Sequence, residues 1–390
     1  MPVNVAIIAT HPIQYHVPWY RALSNQPGIH VKVYYGCRPG EEEQGTGFDV
    51  PFQWDIPMFD GYDWELFESR KHKPGIDGFF ANVSKNIGKT LARDRPDVII
   101  LTGWQGFPLI QALFWSLYLR IPRIVRGESS GLKPRNFPVR MAHTILLNRY
   151  DAFLAIGNAN RQFYENYGIG RNRIFQCPYF VDNNRMLEQV ENVRPQRQSL
   201  RKNWKIPDSS LCFVYAGKLN RKKRIFDLLH AFRMAVNAVP GIYLLIAGTG
   251  ELMAEAGQYV LKNNLPVTFA GFLNQTEITK AYAASDCIVL PSDYGETWGL
   301  VINEAMVCGL PAICSDRVGC HPDLIKDGTT GMLYPCGDID ALSARLIEIA
   351  SHPDKARTMG NSARELVLNS YSVDRAVTGT LDAINFVINH

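Results

Sequence analysis

Short apolar runs punctuate this chain at helix-length intervals, and that alternation constrains its fold more than anything else. In the first half the runs fall at 3–9, 29–35, 97–102, 122–126 and 152–156. In the second they fall at 211–216, 242–247, 266–270, 286–290 and 311–314, with helical patterns at 223–238, 251–263, 274–283, 299–308 and 338–350. Strands that are apolar throughout are buried on both faces, and helices between them make the sheet parallel. A chain of 390 residues exceeds one ordinary core and calls for two domains. The polar stretch Asn183–Lys205, with Arg194-Pro195-Gln196-Arg197-Gln198, divides the runs evenly and is the best linker. The expectation is α/β: two doubly wound, Rossmann-like domains facing a central cleft, at 1–186 and 187–370. No internal repeat or low-complexity segment interrupts this.

One segment breaks the alternation. Residues 36–80 hold Phe48, Phe52, Trp54, Phe59, Tyr62, Trp64 and Phe67 among acids and glycines. A loop this long is functional or disordered, and its aromatics argue against disorder. They either stack on sugar faces or pin the loop to its domain.

Composition is that of a globular protein. The net charge of +4 is too mild to imply nucleic acid, but residues 1–186 carry 21 Lys and Arg against 16 Asp and Glu, and the rest 20 against 21. A basic first half suits an anionic acceptor or an anionic membrane surface, and Lys133, Arg135, Phe137, Arg140 and Arg149 are the candidates for the latter. The eight cysteines form no CxxC or zinc spacing and sit in apolar runs as buried thiols do, which fits a reducing cytosol. The N-terminus reads as a strand, not a leader. No run reaches the ~20 apolar residues of a membrane span. The expected location is cytoplasmic, with peripheral contact at the inner membrane face.

The chemistry lies where strands end. In open α/β sheets ligands bind at the carboxyl edge. There, Pro291–Glu304 runs from a strand through Glu296 and Gly299 into an apolar helix bearing Glu304. Helix N-termini attract phosphate, and carboxylates accept from sugar hydroxyls, so the turn suits a nucleotide sugar. Ala216–Arg224 places five cations within seven residues at another strand-to-helix turn, a strong anion site. Gly248-Thr-Gly250 and Gly271-Phe272 follow two further strands and can approach a base. In the first half, Thr10–His16 carries His11, Gln14 and His16. His11 could shuttle a proton. Trp104-Gln105-Gly106 and Arg126-Gly-Glu128 follow the third and fourth strands. No P-loop, Gly-x-Ser-x-Gly or His-Glu-x-x-His occurs.

These motifs together resemble the GT-B glycosyltransferases of family 4, the large retaining group, over nearly all of the second half. Glu296 and Glu304, seven residues apart, look like that family's EX7E motif. Gly217-Lys218 with Lys223 looks like its phosphate loop, and Gly319 and Asp327-Gly328…Gly331 like its later turns. His11-Pro-Ile-Gln-Tyr and the Trp54–Trp64 run look like a bacterial subgroup of surface-polysaccharide assembly. The departures are Lys218 for a usual Arg, Arg224 and Cys320 for usual glycines, His11-Pro12 for a Gly-Gly turn, and no His near 126–128.

The resemblance implies a metal-independent transfer of a sugar from a nucleoside diphosphate, UDP before GDP, to a saccharide or lipid-linked saccharide, without cofactor. Lys218 and Lys223 would neutralise the diphosphate, and Glu296 would hold the donor sugar. Glu304 would hold the ribose, with Gly217, Gly248, Gly271, Phe272, Thr297, Trp298, Gly299 and Leu300 lining the donor. His11, Gln14, Trp104, Arg126 and Glu128 are the acceptor-side candidates. Closure about the linker would align the domains. Residues 371–390 would form an amphipathic helix returning to the first domain. Asp338-Ile-Asp340 looks like a metal-binding DxD, but Asp338 precedes a helix and is expected to cap it. The same residues leave open an epimerase or phosphorylase on this fold, or a non-catalytic sugar-nucleotide-binding partner.

Overall fold

The computed structural model describes residues 2–71, 75, 76 and 78–389. The outermost residues of the 1–186 and 371–390 ranges, and His72, Lys73, Pro74 and Asp77 of the aromatic-rich segment, lie outside them. The chain divides into two compact units: residues 1–44, 52–179 and 373–390, and residues 45–51 and 180–372.

The first unit is built on β1 (Val3–Ala9), β2 (Ile29–Tyr35), β3 (Asp63–Leu66), β4 (Val98–Leu101), β5 (Arg123–Val125), β6 (Ala152–Ala155) and β7 (Ile174–Gln176). They form a parallel sheet in the order β3-β2-β1-β4-β5-β6-β7. The second unit contains β8 (Leu211–Ala216), β9 (Ile242–Ala247), β10 (Val267–Gly271), β11 (Cys287–Leu290), β12 (Ala312–Ser315) and β13 (Gly331–Tyr334). Its parallel order is β10-β9-β8-β11-β12-β13. In both sheets the strand order reverses beside the first strand. That makes two topological switch points, at β1/β4 and β8/β11, where the turns after neighbouring strands part and leave a crevice.

Helices cover both sheets because their apolar residues repeat at three and four. Helix Ile225–Ala238 buries Ile225, Leu228, Leu229, Phe232 and Ala235 against the second sheet. Helix Val373–Ile388 returns to the first unit, as expected. It buries Ala376, Ala383 and Ile384, and Trp19 Nε1 donates to Thr380 Oγ1 at 3.2 Å.

The predicted linker is not one. Residues 183–205 form helices Asn183–Val193 and Arg197–Asn203 joined by a 3-10 turn. Met186, Val190 and Leu200 are buried, and Arg201 donates to Ala284 O and Ser210 O. Their polarity reads as linker because most of each helix's surface is wet, while a narrow apolar stripe docks them on the second unit. The division therefore comes at 179/180 and 372/373.

The aromatic-rich segment is mostly pinned. Tyr62 and Tyr35 hydroxyls lie 2.7 Å apart, Phe59 packs on Trp64 and Phe67 stacks on Tyr34. Its Asp63–Leu66 becomes the edge strand β3. The eight cysteines are free thiols, with Cys336 half-buried and the others buried. Asp338 caps helix Ile339–Ser351, accepting from Ala341 N–H at 2.9 Å.

Candidate functional site

The second unit's crevice gathers most of the residues singled out for the donor. The turn after β8 carries Gly217, Lys218 and Lys223, and the turn after β11 carries Glu296. Lys223 Nζ forms an ion pair with Glu296 Oε2, and Ser292 Oγ lies 3.5 Å from the same oxygen. Both charged side chains are largely shielded, at 12% and 17% exposure. An ion pair half out of water persists only if both charges are held, so the two turns fix one cation and one carboxylate side by side at the switch point.

Glycines let the neighbouring turns come this close. A Cβ on Gly248 would lie 1.9 Å from Gly217 O, while Gly248 N–H donates to Gly271 O at 2.7 Å. The turns after β8, β9 and β10 thus form one continuous floor. Gly319 plays the same part beneath Glu296: a Cβ there would lie 1.7 Å from Thr297 O. Gly319 N–H donates to Glu296 O at 3.0 Å and Cys320 N–H to Trp298 O at 3.0 Å. Two backbone bonds therefore hold the Glu296–Trp298 turn ahead of helix Leu300–Val307. Trp298 is buried, its Nε1 donating to Asn303 Oδ1 at 2.8 Å. Its contribution to a ligand would be backbone. Thr297 is exposed, and Gly299 is the residue preceding the helix.

Three placements differ from a simple open donor loop. Glu304 is buried to 1% and accepts from Tyr282 Oη at 2.7 Å, with Gln275 Nε2 at 3.5 Å. Of the five cations Lys223 lies against Gly217 of the glycine floor, Arg221 and Lys222 are exposed, and Arg224 pairs with Asp227 at 2.6 Å. Lys218 is engaged by residues 45–51, which belong to this unit. Its Nζ donates to Thr46 O at 2.5 Å and sits 4.8 Å from the Phe48 ring centroid, and Phe48 packs edge-on against Phe272 at 5.0 Å. A strap from the aromatic-rich segment thus lies over the turns after β8 and β10. A cavity of about 590 Å³ opens at the opposite, amino edge of this sheet, lined by Arg194, Arg197, Tyr282, Asp286 and Arg364, and neither Lys218, Lys223, Glu296 nor Glu304 lines it.

In the first unit the turns after β1, β5 and β7 meet at a buried charge cluster. Arg126 is fully buried and donates through Nη1 to His16 Nε2 at 3.1 Å. An acceptor nitrogen at Nε2 leaves the imidazole neutral, with its proton on Nδ1. Burial lowers the His16 pKa further, outweighing the opposing pull of Glu128. Burial pushes the Glu128 carboxyl up, but the Arg126 guanidinium and the Tyr179 hydroxyl pull the other way, and it lies below the ordinary value. Glu128 Oε1 accepts from Tyr179 Oη at 2.5 Å and lies 3.6 Å from Arg126 Nη1, with a third of its side chain exposed. The cluster presents one ionised carboxylate at the sheet edge. His11 Nδ1 pairs with Thr10 Oγ1 at 3.0 Å, and Gln14 is buried. Trp104 is a core side chain, stacked on Phe163.

Sequence reasoning missed Tyr179, Tyr282, Gln275 and Thr46, and gave no separate role to Ser292 of the Pro291–Glu304 turn or to Phe48 of the aromatic-rich segment. His16 was noted with His11 and Gln14 in the Thr10–His16 segment, where only His11 was given a proton-transfer role. The others carry no local signal, because only tertiary pairing makes them matter.

Comparisons with known proteins bear on both units. Residues 196–366 match the family model of Glycosyl transferases group 1, so the second unit carries a domain of that type. The chain is 32% identical over 210 residues to N-acetyl-alpha-D-glucosaminyl L-malate synthase of Bacillus anthracis, covering 53% of this chain and 52% of the relative. The matches span about half or less of the first curated relatives' length. Among solved structures, a glycosyltransferase from Rickettsia africae matches at TM-score 0.75 and 13% identity, over 100% of this chain and 99% of that one. The Anabaena HepE structure in complex with UDP and glucose matches at 0.71 and 16%, over 98% and 99%. At such identities the likeness is one of fold, and the fold is that of the GT-B glycosyltransferase structures.

Proposed function

We propose that this chain is a retaining, metal-independent glycosyltransferase of family 4. It moves a sugar from a nucleoside diphosphate, UDP in preference to GDP, to a saccharide or lipid-linked saccharide in surface-polysaccharide assembly. The observation that carries this reading is the Lys223–Glu296 pair at the β8/β11 switch point, over a glycine floor and ahead of a helix N-terminus. The matched group 1 domain and the UDP complex of the Anabaena fold neighbour support the donor class.

In the reaction the bond from the anomeric carbon to the diphosphate breaks, an acceptor oxygen bonds to that carbon on the same face, and the acceptor's hydroxyl proton leaves with the departing diphosphate. Charge develops on the diphosphate. Lys223 and Lys218 neutralise it, and donors held in place before the reaction act most strongly on developing charge. When the diphosphate takes Lys223, Glu296 is freed to accept from donor-sugar hydroxyls. Gly217, Gly248, Gly271, Phe272 and the backbone of Thr297, Trp298, Gly299 and Leu300 line the donor. Glu304, braced by Tyr282, takes the ribose. Two lysines and a helix N-terminus supply the positive charge that a metal otherwise would, and Asp338 is occupied in capping. On the acceptor side Glu128 accepts from the incoming hydroxyl, Arg126 and His16 position it, and His11 and Gln14 flank the same edge.

A panel of UDP-, GDP- and ADP-sugars, read by thermal shift and released nucleotide with EDTA present, tests this. Nucleotide release that depends on a saccharide acceptor supports it. Donor binding without turnover on any acceptor, or donor consumption without one, overturns it.

A further inference from the structure

Helix Phe137–Leu147 of the first unit buries Leu147 alone among its eleven residues. It is a formed helix: Asn136 caps it, accepting from Val139 N–H at 3.2 Å, and Pro138 opens its first turn. Its inner side rests on the unit through His143, packed on Trp104, Phe163 and Tyr167. The opposite side carries Phe137, Met141 and Ile145, four residues apart and hence in one stripe. They are 73%, 55% and 58% exposed. On the same face of the sheet, helix Phe107–Tyr118 exposes Phe114 and Tyr118. A stripe of large apolar side chains left exposed marks an interaction surface.

Charge decides what covers it. Residues 107–150 hold seven Lys and Arg and one acid, Glu128, and that acid is engaged by Arg126 and Tyr179. Lys133, Arg140 and Arg149 are exposed around the stripe. A second copy of the chain would set these cations against their own like. An anionic bilayer satisfies both features: the apolar stripe enters the acyl boundary and the cations meet the headgroup phosphates. No described helix is long and apolar enough to cross a membrane, so the contact is one of lying on the surface.

We propose that helix Phe137–Leu147 docks the first unit on an anionic phospholipid bilayer. This surface stands independently of the glycosyl-transfer reading, and its test needs no donor or acceptor. Co-sedimentation with vesicles of phosphatidylglycerol and phosphatidylcholine is expected, weakening with salt, and none with phosphatidylcholine alone. Met141→Ser with Ile145→Ser should weaken partition by about tenfold or more, and Arg140→Gln by about fivefold. Unchanged thermal unfolding and far-UV circular dichroism verify the fold. Phe137→Ser, at the exposed first turn, serves if the double variant unfolds. Absent binding, equal binding to both vesicles, undiminished binding by the variants, or a lipid-free dimer that the double variant dissociates would each overturn the proposal.

Discussion

Lys223 and Glu296, separated by 73 residues in the chain, form an ion pair across the two central strands of the second sheet. Each is the other's electrostatic partner in a shielded crevice. Removing one leaves the other short of compensation, whereas removing both does not. Glu296→Gln and Lys223→Met should each lower stability by about 1–3 kcal/mol, and the double variant should recover most of that. Transfer should not recover: each single variant, and the pair, should lose about a hundredfold or more in kcat. Thermal unfolding beside nucleotide release separates the two effects. Recovery of both together would make the pair purely structural.

Glu304 depends on a residue that itself touches no expected ligand. Tyr282 is fully buried and donates to Glu304 Oε2 at 2.7 Å. Tyr282→Phe keeps the ring and removes the bond to a buried carboxylate. It should cost about 1–3 kcal/mol, measured by urea unfolding. If Glu304 holds the ribose, the same variant should raise KM for the donor more than it lowers kcat.

The sequence made some of this plain and left the rest out of reach, for physical reasons. β8 and β9 are apolar throughout, and their ends can be read to the residue. Glu296 and Lys223 are legible because each stands in a turn after such a strand. β3, β7 and β13 were not seen: each lies at a sheet edge, where Asp63, Glu65, Gln176 and Gly331 interrupt the apolar run that marks a central strand, and the Asp63–Leu66 strand sits in the most irregular stretch of the chain. Helix Asn183–Val193 looked like a linker because its apolar stripe is two or three residues wide. His16 could be noticed but not chosen, since only Arg126, 110 residues away, makes it matter.

That histidine has a pH signature. Its folded-state pKa lies below the ordinary 6.5. As pH falls through 6.5 the unfolded chain binds a proton that the folded chain refuses, so stability drops until the folded pKa is reached. Above 6.5 the contribution is fully present. His16→Gln keeps an acceptor for Arg126 and removes the titration. Its unfolding free energy should fall less steeply below pH 6.5 than that of the unaltered protein, and run parallel to it above. Guanidinium melts from pH 8 to about pH 5 measure the difference; parallel curves throughout would mean that His16 takes up its proton as readily in the fold as in the unfolded chain.

The strap of residues 45–51 bears on how the donor enters. Lys218 is held by Thr46 O and the Phe48 ring, and Phe48 rests on Phe272, a residue assigned to the donor. A diphosphate that recruits Lys218 must draw it from these contacts, so part of the binding free energy is consumed in releasing the strap. A cation over an aromatic ring is worth about 0.5–1 kcal/mol at a partly exposed site. Phe48→Ala should therefore tighten UDP binding by about two- to fivefold, read by calorimetry, while Lys218→Ala weakens it. The opposite sign, with weaker binding in Phe48→Ala, would mean that the ring stays in place and packs against the bound nucleotide. The double variant distinguishes the two: if the strap acts by holding Lys218, Phe48→Ala changes nothing once Lys218 is gone.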